Sequence, residues 1–365
     1  MRFPIDEIWI DGDARDEPLT REILRRLPSC PVRIGQDAID AYQRLALESD
    51  PFRRGKRILR LMRHRGAFVK PCPGTKEYVC CGLQILHIGQ GCPMDCRYCA
   101  LQAYFNRPVL EVFVNVSEML DGLRERVSEE PNRFHRICTG EFTDSLALDP
   151  ITDLASKLVH FFSQQTNASL EIKTKTDFVE TLLDIDPRGR VVLSFSMNAA
   201  EIASLEERRA ASLKRRLQAA AQAQNKGYML GFHFDPIIPF QGWEQGYYRT
   251  IDRIFRLIDP QRIAWISLGV LRFVPDLKEI VRARFGPLRY FHDGFVRGLD
   301  GKQRLPVQRR IEIYKRLADR IRTHAPETRI YLCMESPYVW ERALEMKISA
   351  NEDLIRYLDQ AVRGQ

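Results

Sequence analysis

The sequence predicts an α/β protein: a partial (β/α)6 TIM-type barrel over 79–275, an N-terminal α/β extension over 1–78, and a C-terminal hairpin and helices over 276–365. Three observations carry this expectation. Strand-like apolar runs alternate six times with helical patterns between residues 79 and 275, and strand–helix units of that length wrap as a parallel, right-handed sheet. A cysteine-rich loop follows the first of those strands, at the end where such barrels place their chemistry. Outside these limits the alternation stops.

In the N-terminal extension, 7–11 reads as a short strand. Asp16, Glu17 and Pro18 open a helix, with Leu19, Ile23, Leu24 and Leu27 on its apolar face. Residues 31–34 read as a second strand. Eight basic residues then occur from Arg53 to Lys70 with no acidic residue among them. Ile58, Leu59, Leu61 and Met62 give this segment helical character. A charge run is commonly a solvated face, but without acidic relief phosphate contact weighs about equally. Cys72, Cys80 and Cys81 follow at a spacing that matches no cluster motif and read as structural thiols.

The six barrel strands are expected at Leu83, Ile85 and His87, then at 136–139, 170–175, 191–197, 229–234 and 263–271. Helices are expected at 116–127 with Ser117 as cap, at 151–162 after Pro150, at 178–183, at 210–226 ended by Gly227, and at 243–258. Beyond the barrel, Asp300-Gly301 signals a hairpin turn flanked by 295–297 and 303–305. A long helix at 307–324, a strand at 329–333 and a helical tail from 337 complete the chain.

The 365 residues suffice for such a domain with additions. No run of eighteen apolar residues occurs, so no membrane span is expected, and Met1 to Asp6 lack the apolar segment of a secretory signal. Nine cysteines, an odd count, fit a reducing, cytoplasmic setting. The formal net charge of +8 favours a polyanionic partner.

The chemistry centres on Cys92-Pro93-Met94-Asp95-Cys96-Arg97-Tyr98-Cys99, a C-x3-C-x2-C loop. Three thiolates so spaced can hold three irons of a [4Fe–4S] cluster. The open fourth iron can chelate S-adenosylmethionine (SAM), which one electron splits into methionine and a 5′-deoxyadenosyl radical. A zinc knot competes with this reading, but zinc prefers four ligands, and no fourth Cys or His follows at natural spacing.

The loop and its surroundings resemble the radical SAM superfamily. In that resemblance Tyr98 is the aromatic packed near adenine, or a loop-packing tyrosine. Thr139-Gly140-Glu141 resembles the superfamily's Gly-Gly-Glu site, where the carboxylate takes the SAM ammonium. A closer resemblance is to the spore photoproduct lyase family. It rests on Lys76-Glu77-Tyr78, on 91–102, on Arg136-Ile137-Cys138-Thr139, on Thr174-Lys175, on Ser196 and on the blocks 227–232, 236–237 and 242–247. It runs from about residue 5 to 275, and more loosely beyond.

The resemblance implies a lyase that repairs a thymine-derived lesion in DNA. A hydrogen is taken from C6, the methylene bridge fragments, and Cys138 returns a hydrogen atom. It also implies Tyr98 near the chemistry, SAM-carboxylate contacts at Lys175 and Ser196, and substrate phosphates at Arg297 and Lys302. An external one-electron donor of flavodoxin or ferredoxin type would feed the cluster. A strand cysteine is otherwise commonly an inert small hydrophobe. Three departures stand out. Ala100 replaces a relay tyrosine, with Tyr104 nearby; Gly140 replaces a serine; Gly298 and Gln303 replace hairpin tyrosines. They motivate another target for the same chemistry: a different base, a nucleotide or a small metabolite. A non-catalytic iron–sulfur protein that binds nucleic acid or senses redox state is the third possibility, and the SAM-contact residues speak against it. His87 reads as a packed barrel histidine. Asp235-Pro236 would touch ribose or substrate, or cap a turn. Asp144 and Asp149 have no assignable role.

Overall fold

Seven parallel strands form one curled sheet in the computed structural model, which describes residues 3–75, 77–105, 107–292 and 294–363. They are β1 (Gln84–Leu86), β2 (His135–Cys138), β3 (Ala168–Thr174), β4 (Val191–Ser196), β5 (Met229–Ile237), β6 (Ile263–Val270) and β7 (Ile330–Leu332), neighbours in that order. Val69–Pro71 adds an antiparallel edge beside β1. The six expected barrel strands are all present. The seventh is the stretch foreseen at 329–333: β7 pairs in parallel with Ile266 to Leu268 of β6. Its sheet membership depends on a contact between distant segments, which a local pattern does not carry. Every residue of β6 is buried, as in a parallel strand covered on both faces.

Several helix expectations need correction. The stretch 151–162 is split into Asp149–Thr152 and Leu154–Phe162 at Asp153, whose φ is 52°. Asp149 holds the break by accepting Ala155 N–H at 2.9 Å and the Thr181 hydroxyl at 3.0 Å. Asn115, not Ser117, stands at the cap of Val116–Glu129. The helix expected from 210 starts at Leu213, where the Ser212 hydroxyl accepts Arg215 N–H at 3.4 Å. The 178–183 stretch yields only a 3-10 turn, Glu180–Leu182. A helix not foreseen, Ala200–Glu206, leads into Glu207–Arg208, which pairs with Asp95–Cys96 of the cysteine loop.

The N-terminal sheet has the order Val32–Ile34, Glu7–Ile10, Ile58–Met62, Leu110–Phe113, Gly89–Gln90. Ile58–Met62 is thus a strand, not a helix. Its short apolar run fits either period, and parallel partners on both sides decide the outcome. The basic segment is also neutralised from afar. Arg57 pairs with Asp6, Arg60 with Asp11 and Glu111, Arg63 with Glu17 and Glu118, and Arg65 with Asp13. Arg54 meets Glu48 and Lys56 meets Asp95. Six of the eight cations are thus paired within the fold, which leaves Arg53 and Lys70 as the members of this run without an ion pair among the described residues.

The hairpin forms where Asp300-Gly301 places it, pairing Val296–Arg297 with Gln303–Arg304. Gln303–Arg304 also pairs with Arg272–Phe273, just past β6, and this seats the hairpin at the barrel mouth. The helix Val307–His324 matches its expected bounds. The tail helix Asn351–Arg363 is tied to β2 by a buried Arg136–Asp359 pair at 2.8 Å. Among the described residues no helix is long and apolar enough to cross a membrane.

Candidate active site at the barrel mouth

The cysteine loop is held from four sides. Lys56 donates to the Cys92 carbonyl at 3.2 Å and to the Met94 carbonyl, and pairs with Asp95 at 3.3 Å. The Gln102 amide donates to the carbonyls of Cys96 and Cys99, each at 3.3 Å. Arg284, from the C-terminal part, binds Gln102 Oε1 and reaches Asp95 at 3.2 Å. Arg97 N–H donates to the Glu206 carbonyl at 2.9 Å, beside the Glu207–Arg208 bridge. A loop whose carbonyls are so occupied presents its side chains in one geometry.

The donor set suits a cluster. Among the described residues no three His, Cys, Asp or Glu converge as for a single ion. The ligands of an iron–sulfur cube each take a different iron, so Cys92, Cys96 and Cys99 need not converge. Burial, with Asp144 nearby, pushes the Cys92 thiol up to about 12, and burial raises Cys96 well above its ordinary value. A bound cation would strip these protons outright.

Tyr98 is buried rather than open to the mouth. Its hydroxyl donates to Glu207 Oε1 at 2.5 Å. Glu207 is a hub: its other oxygen accepts from Arg216 at 2.5 Å, and Lys175 Nζ lies 3.9 Å away. Despite burial, the Arg216 and Lys175 charges and the Tyr98 hydroxyl hold Glu207 down at about 2. Arg216 also donates to the Ser196 carbonyl at 2.8 Å. Tyr98, Lys175 and Ser196 thus share one buried network.

Cys138 ends β2, fully buried against Leu83, Ile85, Cys72, Cys81 and Phe142. Gly140 N–H donates to its Sγ at 3.3 Å. Burial pushes the thiol up to about 12, so it keeps its hydrogen. Glu141, next along, makes no hydrogen bond or ion pair among the described residues. A partly buried carboxylate without a partner at this rim suits an ammonium group. Asp144 now has a role. It accepts Lys175 N–H at 2.7 Å and the Thr174 hydroxyl at 2.8 Å, locking the end of β3 to this loop.

Inside the barrel, Glu171 accepts from the Ser194 hydroxyl at 2.6 Å and from Trp265 Nε1 at 3.1 Å, and meets His233 at 2.7 Å and Lys173 at 3.7 Å. Asp235 engages Arg272 with both oxygens, at 3.2 and 3.0 Å. His87 is stacked between His64 and Phe142, and burial lowers it to about 4, so it is a neutral packed ring. On the hairpin, Arg297 is exposed, while Lys302 is largely buried with Nζ 3.7 Å from Asp300. Arg304 is clasped by Asp300 at 3.1 and 2.7 Å and lies 4.1 Å over the Tyr78 ring.

A family model described as spore photoproduct lyase matches residues 5–291. The chain belongs to the spore photoproduct lyase family. It is 28% identical over 204 residues to the spore photoproduct lyase of Geobacillus sp., covering 54% of this chain and 59% of that protein. It is 31% identical over 198 residues to the Bacillus subtilis protein, covering 53% and 58%. The chain therefore spans less than two thirds of these two relatives. The Clostridium acetobutylicum lyase is 22% identical over 301 residues, covering 78% and 88%. Spore photoproduct lyase solved with bound AdoMet and dinucleoside spore photoproduct superposes with a TM-score of 0.80 at 20% identity, covering 91% of this chain and 100% of that one. Another, with the dinucleoside spore photoproduct, gives 0.81 at 21%, with the same coverage. At such identity the likeness is one of fold, the partial barrel.

Two departures from the family pattern have local causes. A Cβ on Gly140 would lie 2.6 Å from Lys173 Cβ, and one on Gly298 would lie 2.7 Å from Arg304 Cδ. Lys173 and Arg304 therefore fill the space that larger residues would need there. Tyr104 is about half exposed, near Glu141, Arg272 and Asp300, while Ala100 begins the short helix Leu101–Tyr104. Lys76, part of the family-like run before Tyr78, lies outside the described residues. Glu207, Arg216, Lys173 and Arg272 were not foreseen. Glu171 and Lys173 did leave a signal: charges two apart on a strand share a face, and in a buried strand that face is a polar interior.

Proposed function

We propose that this chain is a cytoplasmic radical SAM lyase acting on a spore-photoproduct-type thymine lesion in DNA. Cys92, Cys96 and Cys99 would hold a [4Fe–4S] cluster, and SAM would sit against it. Together these groups supply a 5′-deoxyadenosyl radical when an external carrier delivers one electron. The observation that carries the reading is the buried Cys138 thiol at the C-terminal end of β2, acted on by Lys173 and Glu141, on a strand paired with the one that Lys175 follows.

Each residue has a definite task. Glu141 accepts the ammonium of SAM. Lys175 and Ser196 would hold its carboxylate, Lys175 being paired with Glu207 and the Ser196 carbonyl bonded by Arg216. The lesion loses hydrogen at C6, and its methylene bridge breaks. Cys138 then gives a hydrogen atom to the product radical. The exposed Arg297 would hold a backbone phosphate, and Lys302 would do so only by leaving the Asp300 carboxylate it now faces; such contacts position a strand without reading its sequence. A damaged, poorly stacked step costs less to extrude into the mouth than a normal one.

Anaerobic reconstitution with SAM and dithionite, on ultraviolet-damaged and undamaged DNA, tests this. Deoxyadenosine together with restored thymines supports it. SAM cleavage without repair supports a second reading, in which the same machinery acts on another base or nucleotide. Gly298 and the polar interior of Glu171, Lys173 and His233 favour that alternative. Intact SAM with cluster present would overturn both.

A further inference from the structure

Lys173 is a buried charge that none of the tasks above uses. It is the penultimate residue of β3, two beyond Glu171, which stands in register with Cys138 of β2. Lys173 therefore shares the interior face of Glu171, one step nearer the mouth. Its root is set against the Cys138 end. Gly140, whose N–H donates to Cys138 Sγ at 3.3 Å, would place a Cβ 2.6 Å from Lys173 Cβ. Ser145 fixes the backbone there: its Oγ accepts Lys173 N–H and its own N–H donates to the Lys173 carbonyl, both at 3.1 Å. The Lys173 side chain keeps 20% of its surface exposed, against 4% for Glu171. Its counter-charge is Glu171 Oε2, 3.7 Å away and beyond hydrogen-bond length. The other oxygen of Glu171 is taken by Ser194, His233 and Trp265. Burial opposes the ammonium, yet its surroundings, Glu171 and Glu141 among them, hold the proton well above the ordinary lysine range. An ammonium carries three donors, and Lys173 Nζ makes no hydrogen bond among the described residues. A largely buried donor group is costly until an acceptor reaches it.

We propose that Lys173 is a substrate-contacting residue: its ammonium donates to a ring carbonyl oxygen of the lesion and so seats the product radical against Cys138. The inference rests on the lesion-repair reading above and adds to it a residue and its acceptor. In thymine the carbon that bears the methyl group adjoins the ring carbonyl O4. A cation on O4 therefore fixes the carbon that receives the hydrogen atom of Cys138. Charge balance makes the acceptor a neutral one. Glu171 already offsets Lys173, and Glu141 acts on it as well. A phosphate brought here would meet two carboxylates against one cation. A carbonyl takes the hydrogen bond and leaves the balance unchanged. The two lysines at this strand end are thus divided. Lys175 lies 3.9 Å from Glu207 and serves SAM, while Lys173 serves the base. Gly140 is part of the device, since a side chain there would take the place of Lys173 beside the thiol.

The test is calorimetric titration of the reconstituted protein, without reductant, for wild type, Lys173→Met and Lys173→Arg. The probes are SAM, and the dinucleoside spore photoproduct with SAM already bound. Lys173→Met keeps the length of the side chain and removes its donors. It is expected to bind the dinucleoside roughly tenfold to a hundredfold more weakly, the worth of a charged hydrogen bond, and to bind SAM as wild type does. Lys173→Arg restores a cation and is expected to recover most of the loss. A second measurement needs no variant. A dinucleoside with sulfur in place of O4, a poorer acceptor, should bind wild type roughly tenfold more weakly, whereas Lys173→Met should not distinguish the two. If Lys173→Met does not fold, the wild-type comparison decides alone. Wild-type dinucleoside affinity in Lys173→Met overturns the proposal, as does equal affinity of wild type for the oxygen and sulfur forms. A loss confined to SAM binding overturns it too and assigns Lys173 to the cofactor. Failure of the lesion reading shows elsewhere: wild type itself then binds no dinucleoside, and both fall together.

Discussion

Gly140 and Lys173 compete for one space: a Cβ on Gly140 would come within 2.6 Å of Lys173 Cβ and 3.1 Å of its carbonyl oxygen. The obstacle sits at the root of a side chain and cannot swing away. Gly140→Ser is therefore expected to destabilise the fold by about 1–3 kcal/mol through overpacking. Urea denaturation of the apo protein measures this, and an unchanged midpoint would refute it.

Glu207 and Arg216 form a buried pair at 2.5 Å, with side chains 0% and 1% exposed. Glu207→Ala leaves the Arg216 guanidinium uncompensated and is expected to cost about 3–5 kcal/mol. The pair also sets a pH dependence. The folded carboxyl is held near 2 against an ordinary 4.5, so its contribution is complete above 4.5 and is lost as pH falls toward 2. Glu207→Gln should flatten that limb of the apo-protein stability profile. A limb as steep as the wild type would count against the assignment.

Glu141 makes no hydrogen bond or ion pair among the described residues and acts on Lys173 only through its field, so Glu141→Gln should lower the melting temperature little. Removing its charge should weaken SAM binding roughly tenfold to a hundredfold, the worth of a charge-assisted hydrogen bond. Calorimetric titration of the reconstituted protein reads both. Equal affinity would mean that the ammonium is held elsewhere.

Cys138→Ala removes a small buried thiol and should fold. Restored thymine per deoxyadenosine is expected to fall on the order of tenfold, equivalent to about 1.4 kcal/mol on the quenching step. Chromatography of both products settles it. A wild-type ratio would assign the hydrogen donor to another group.

The barrel strands were legible because their apolar runs are long and bounded by clear turn residues. The cysteine loop and the Thr139-Gly140-Glu141 rim were legible because each lies on a contiguous motif. What escaped was long-range. Glu207 reaches Tyr98 across more than a hundred residues of chain, and nothing beside it in sequence marks it. Ile58–Met62 became a strand because Glu7–Ile10 and Leu110–Phe113 flank it. Asp149 showed no role because its partners, Ala155 and Thr181, belong to a helix break and a neighbouring turn.

The clasp of Asp6 on Arg57 and of Asp13 on Arg65 has a practical corollary. Alanines at those two aspartates would leave two guanidiniums bare on the outer side of the N-terminal sheet. Such a variant would carry two fewer acidic charges beside cations that are already partly exposed, so its non-specific, salt-sensitive retention on DNA would rise relative to wild type. DNA affinities of variants are therefore best compared with these two ion pairs left in place.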